Sequence, residues 1–215
     1  MTRALPSGAR LWLSLSALLA GGSVLAYGLP AAMLDWQPAL VWREPWRAWT
    51  AVFVHWSPLH LGANLLAAAV VGLFGWAALL PPRATLAFAL AWPLTQFALL
   101  AEPDLAHYGG LSGMLHGGVA VGTVWLMATT TGAHRRVGAA VFVGMLVKLA
   151  LEEPWGPPLH IGGGWDIATA PIAHTTGALA GMLTAGLMLW RRASPPSVTG
   201  PADGLAGRPP EGDAG

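Results

Sequence analysis

One serine stands in a run of glycines, Gly109-Gly110-Leu111-Ser112-Gly113-Met114-Leu115-His116-Gly117-Gly118, between an acidic loop and an apolar segment. A serine hydroxyl is a weak nucleophile at its own pKa and needs a base, usually histidine, within hydrogen-bond reach. His116 lies four residues on, so a helix starting at Ser112 carries both on one face. His174 lies in a later apolar segment, and His60 and Asn64, again four apart, share a face of an earlier one. Attack on a carbonyl needs donors aimed at the developing oxyanion. A backbone N–H at a helix start and Asn and His side chains are such donors, so the Ser112 amide, His60 and Asn64 suit that role. The same residues have a plainer reading: glycine lets helices approach closely in lipid, and polar side chains hold neighbouring helices together.

No third acid is expected beside this group. The acids inside or bordering the apolar segments lie at outer ends, as Glu152 does, so the expectation is a Ser–His dyad without a carboxylate. Lys148 and Glu152, at a pairing separation on one helix, read as a structural ion pair.

The elements that must position these groups are membrane helices. Of 215 residues, 54% are hydrophobic and only 10% charged, with a mean hydropathy of +0.54, whereas soluble domains carry about 25% charged residues. Six apolar windows approach or reach the roughly 20 residues that cross about 30 Å of hydrocarbon. They run approximately over Leu11–Pro30, His60–Leu80, Ala84–Leu100, Ser112–Thr130, Val137–Leu151 and Ala168–Trp190. Trp92-Pro93 predicts a kink in the third. In the fourth, Gly113, Gly117, Gly118 and Gly122 form two small-xxx-small pairs, and Gly177 and Gly181 form one in the sixth. Close contact of those two helices would carry His174 toward Ser112. Depth agrees: Ser112 opens one span, His60 and Asn64 lie in the first turns of another, and His174 lies about 9 Å into a third at roughly 1.5 Å per residue.

Charge layout orients the bundle. Arg3, Arg10, Arg83, Arg135, Arg136, Arg191 and Arg192 occupy alternate connections, which places both termini in the cytoplasm and the acidic loops outside. The first span has basic residues before it, but its apolar run exceeds the roughly 7–15 residues of a signal peptide, so a retained helix is expected. Residues 31–59 hold Trp36, Trp42, Trp46, Trp49 and Trp56, five of the chain's 12 tryptophans, as expected for a loop lying at headgroup depth, with Glu44 and Arg47 placed to pair. The loop from Glu153 to Asp166, with Gly162-Gly163-Gly164, suits either a movable lid or a plain linker. Residues 1–192 are expected to form one membrane-embedded domain and 193–215 a disordered cytoplasmic tail. Zero cysteines exclude disulfide and thiolate chemistry. The scattered arginines form no nucleic-acid-binding patch.

Glu44-Pro45-Trp46-Arg47, His60-Leu61-Gly62-Ala63-Asn64, Gly110-Leu111-Ser112-Gly113 and Ala173-His174-Thr175-Thr176-Gly177 with Gly181, in that order, resemble the rhomboid intramembrane serine proteases. The resemblance implies an all-α, polytopic six-helix bundle with Ser112 as nucleophile and His174 as general base. The Ser112 amide, His60 and Asn64 would serve the oxyanion, Gly110 and His116 would line the substrate site, and the 153–166 loop would be the lid; no cofactor or metal is implied. Where well-known rhomboids often stack an aromatic ring on the catalytic histidine, this chain has His116, which leaves His116 as a second candidate base. His174 is preferred, because a side chain one turn along Ser112's own helix points poorly at its hydroxyl. Gly110 through Gly117, the small size and Lys148 through Glu152 look like the rhombosortase subgroup. That likeness implies membrane-anchored protein substrates ending in Gly-Gly, one helix and a basic tail, cut near the outer face of a bacterial inner membrane. The alternatives are a non-catalytic rhomboid-like binding module and a metal- or haem-binding protein using His55, His60, His116 and His174, since imidazole suits Zn, Cu and Fe.

Overall fold

The computed structural model describes residues 6–193. In chain order the helices are α1 (Ser7–Ala26), the single turn α2 (Arg47–Thr50), α3 (Pro58–Ala77), α4 (Pro82–Ala98), α5 (Ser112–Thr129), α6 (Gly132–Leu151) and α7 (Pro171–Ala193). Among the described residues β-pairing is confined to two isolated bridges, Trp36 with Tyr108 and His160 with Thr169. Six helices are 17 to 23 residues long. Of these, α1, α3, α7 and α4 with the turn after it are long and apolar enough to cross a membrane. The chain is an all-α, polytopic membrane protein, as its composition predicts. The expected tail falls almost wholly outside the described residues; α7 runs through Ala193.

Local chemistry sets the boundaries. Pro58 opens α3 at its first turn, where a missing N–H costs nothing, and the Ser57 side chain caps it by accepting from the His60 amide at 3.0 Å. α7 begins at Pro171, not Ala168, because Thr169 is held extended by paired backbone bonds to His160 of 2.8 and 2.9 Å. α6 begins at Gly132, five residues before the apolar window, because Arg135 and Arg136 end a hydrophobic run without ending a helix. α4 continues through Pro93 to Ala98.

α5 is the axis. It is buried along most of its length, and α7, α6, α4 and α3 all pack on it. A Cβ built on Gly177 or Gly181 would overlap the carbonyl oxygen of Gly113 or Gly117, so α5 and α7 meet backbone to backbone. On another side of α5, Phe88 of α4 fills the space beside Gly118 and tilts against Trp12 of α1 at 4.7 Å. The two small-residue stripes predicted to meet do meet, and this contact fixes where the sixth long helix delivers its polar residue.

The first loop is tied down from within. Arg47 is buried; its Nη1 donates to the Asp35 carboxylate at 3.2 Å and to the carbonyls of Asp35 and Ala32 at 2.9 and 3.0 Å. The expected partner Glu44 takes its Nε at 2.6 Å. Trp36 is fully buried, while Trp42, Trp46, Trp49 and Trp56 are exposed. The Trp36–Tyr108 bridge and a 2.9 Å bond from the Gly110 amide to the Ala51 carbonyl join this loop to the approach to Ser112.

Candidate active site

Ser112 is the first residue of α5 and His174 lies in the first turn of α7. The glycine contact just below them sets the spacing, and His174 Nε2 lies 2.9 Å from Ser112 Oγ, across 62 residues of chain. That is hydrogen-bond distance for a hydroxyl and an imidazole nitrogen. His116, on the face of α5 below Ser112, is half-buried; its Nδ1–H donates to the Ser112 carbonyl at 2.7 Å, away from the hydroxyl. Its ring stacks on His174, centroids 4.4 Å apart and planes 20° from parallel. His116 thus occupies the place where the resemblance leads one to look for a stacking aromatic ring.

His60 and Asn64 are buried on α3, and both line the same cavity as Ser112, His116 and His174. Asn64 Nδ2 donates to the His60 carbonyl at 3.1 Å, which leaves its second N–H unspent. The His60 ring lies parallel to that of Trp56, 8° off with centroids 6.2 Å apart, and its Nδ1 is buried without a hydrogen-bond partner among the described residues. Gly110 earns its identity twice: its φ is +123°, and a Cβ there would stand 2.8 Å from His60 Nε2. His60, Asn64, Ser112, His116 and His174 therefore line one cavity of about 800 Å³, while Gly110 packs against the His60 ring and is not part of that lining.

The loop between α6 and α7 covers part of that cavity through Leu159, Trp165 and residues 167–170. Gly162, Gly163 and Gly164 all have positive φ, and Ser57 Oγ donates to Asp166 Oδ1 at 2.7 Å. The hydroxyl that caps α3 also latches this loop.

Two residues at the site escaped the sequence reading. Tyr108 is buried, donates to the Gly110 carbonyl at 3.4 Å and lines the cavity; burial pushes its phenol up to about 12, so it remains a neutral donor. The other is an acid. The expectation of a dyad with no carboxylate beside it is corrected: Glu152 Oε2 lies 2.8 Å from His174 Nδ1. The predicted Lys148–Glu152 pair is present at 2.6 Å, but it uses Oε1, and the second oxygen reaches α7. Helical spacing can reveal a partner on the same helix and is blind to one across the bundle. Tyr108 had a faint signal, as one of two tyrosines and the residue just before the glycine run.

His116, Glu152 and His174 offer ligand atoms within 4.8 Å of one another, a donor set that zinc accepts. Hydrogen bonds account for these groups: both His174 nitrogens, both Glu152 oxygens and His116 Nδ1 have partners. His55 and His60, from the four-histidine alternative, are not in this set and face each other with ring centroids 4.7 Å apart.

The chain is thus an all-helical membrane protein that holds a serine and a histidine from separate helices in one cavity. The rhomboid-domain family model matches residues 42–191, and the chain belongs to the rhomboid family. Its members are in general intramembrane serine proteases that act on membrane-anchored substrates within the bilayer. No curated protein matches the chain.

Proposed function

We propose that this rhomboid is an active intramembrane serine endopeptidase with Ser112 as nucleophile and His174 as base. The observation that carries the reading is the 2.9 Å approach of His174 Nε2 to Ser112 Oγ inside a cavity. Ser112 Oγ attacks the scissile carbonyl carbon while its proton passes to Nε2. The oxyanion is met by the Ser112 amide, Asn64 and His60, each such donor typically worth about 10²–10³ in rate. The imidazolium then protonates the leaving amine as the C–N bond breaks. Water attacks the acyl carbon as its proton passes to Nε2, and that proton is delivered to Ser112 Oγ as the C–Oγ bond breaks, releasing the acid product and free enzyme. Gly110 and His116 shape the substrate cleft.

The substrates are membrane-anchored proteins, and the likeness of Gly110 through Gly117 and of Lys148 through Glu152 to rhombosortases favours tails of Gly-Gly, one helix and a basic end. Glycine weakens a helix by about 0.5–1 kcal/mol relative to alanine, so such a tail unwinds readily at the cut. The enzyme sits in a bacterial inner membrane with both termini cytoplasmic and its site opening outward, in keeping with the arginine layout. Residues 1–192 form the protease domain and 193–215 the cytoplasmic tail.

Purified protein should react with a serine-directed fluorophosphonate and should cleave a reporter bearing such a tail. Both activities should be lost in Ser112→Ala and in His174→Ala. Undiminished processing by Ser112→Ala would overturn the assignment and favour a non-catalytic binding module.

A further inference from the structure

We propose that Glu152 is a positioning residue for the base, which makes the working unit Ser112–His174–Glu152 in place of a bare Ser–His pair; this rests on the protease reading above. In a neutral imidazole one nitrogen is a donor and the other an acceptor, and the partner of one fixes the state of the other. A carboxylate 2.8 Å from Nδ1 can only accept, so Nδ1 carries the hydrogen and Nε2 presents its lone pair to the Ser112 hydroxyl. The ring is then held on three sides: Ser112 at Nε2, Glu152 at Nδ1, and His116 across its face.

The placement of Glu152 supports this role over packing alone. It caps the C-terminal end of α6, where the helix dipole disfavours an anion, so the site is a poor one unless cations or donors surround it. Lys148 answers one oxygen and His174 the other. α6 packs chiefly on α5 and meets α7 sparsely, and this hydrogen bond joins the end of α6 to α7 beside the apolar cluster of Met145, Leu149 and Ala178. Once His174 takes the Ser112 proton, the carboxylate also stabilises the imidazolium. Lys148 keeps Glu152 ionised and tempers that stabilisation. The titratable groups facing His174 are Glu152 and Lys148 on α6, His116 on α5 and His60 on α3, the last itself facing Asp166 of the loop.

The test follows fluorophosphonate labelling rate and reporter cleavage of the full chain against pH for wild type, Glu152→Gln, Glu152→Asp and Glu153→Gln. Glu153→Gln, at an exposed neighbour, removes the same charge away from the ring. Glu152→Gln should cut kcat by roughly 10- to 100-fold, less than the roughly 10⁴ of a fully buried acid–histidine pair, because Lys148 shares this carboxylate. It should also move the acid limb of the rate profile to lower pH, since the imidazolium loses its counter-charge. Glu152→Asp should restore part of the rate, and Glu153→Gln should match wild type. A Glu152→Gln protein with wild-type rate and limb would overturn the proposal, as would a loss that only tracks reduced thermal stability with the limb unmoved. A wild type that never reacts would overturn the protease reading and this one together, whereas a reactive wild type matched by Glu152→Gln would overturn this one alone.

Discussion

At Glu152 the balance of forces can be read from its surroundings. Burial opposes its ionisation, but the hydrogen bond and charge of His174, then those of Lys148, outweigh it and hold the carboxyl down at about 2, against an ordinary 4.5. A depressed carboxyl pKa contributes stability that is complete above the unfolded value and lost as pH falls through the folded one. The difference in thermal midpoint between wild type and Glu152→Gln should therefore be full at neutral pH, shrink below about pH 4.5 and vanish near pH 2. Melts in detergent across that range check it; a constant difference would mean that Glu152 stabilises by shape and not by charge. Ser112, His60, Asn64, His116 and His174 were legible in the sequence because polar side chains in apolar helices stand out and helical spacing assigns them faces. Glu152's second partner was not, because its sequence neighbour Lys148 already explained it.

Between elements, the decisive contact is that of α5 with α7. Gly177→Ala places a carbon where the Gly113 carbonyl already is, so the helices must part. Overpacking of this kind costs about 1–3 kcal/mol. Since Ser112 and His174 ride on those same helices, labelling should fall further than stability does. Gly144→Ala on α6, with open space around it, should instead be neutral or raise stability by about 0.5–1 kcal/mol. Thermal melts and labelling rates of the two variants separate the cases; equal behaviour would remove the glycine contact from the account. The stripes were visible as Gly113/Gly117 and Gly177/Gly181, yet the helix starts were misplaced by up to five residues. Hydropathy marks where a chain becomes apolar, while prolines, caps and arginines decide where the helix begins.

For the molecule as a whole, the orientation can be tested independently of the chemistry. Alkaline phosphatase, active only outside the cytoplasm, should be active when fused after Asp104 and inactive when fused after His134 or at Arg192. A green fluorescent reporter at the same positions should give the reverse pattern. The opposite pattern would place the cavity on the cytoplasmic side and remove the basis for secreted substrates. The six-helix architecture was legible because alternating apolar runs and basic connections over-determine it. The internal mooring of the first loop was not: a buried Arg47 contradicts what arginine usually does, and its partners Asp35 and Ala32 lie 12 and 15 residues away.

That Ser112 and His174 stand 62 residues apart, joined only by a contact between α5 and α7, has a consequence for biosynthesis. In chain order the hydroxyl on α5 is made well before the imidazole on α7, the last described helix, so the pair can form only after α7 has packed against α5. On the protease reading proposed above, the nascent protein stays chemically mute until then, and the machinery that inserts it is spared a premature blade.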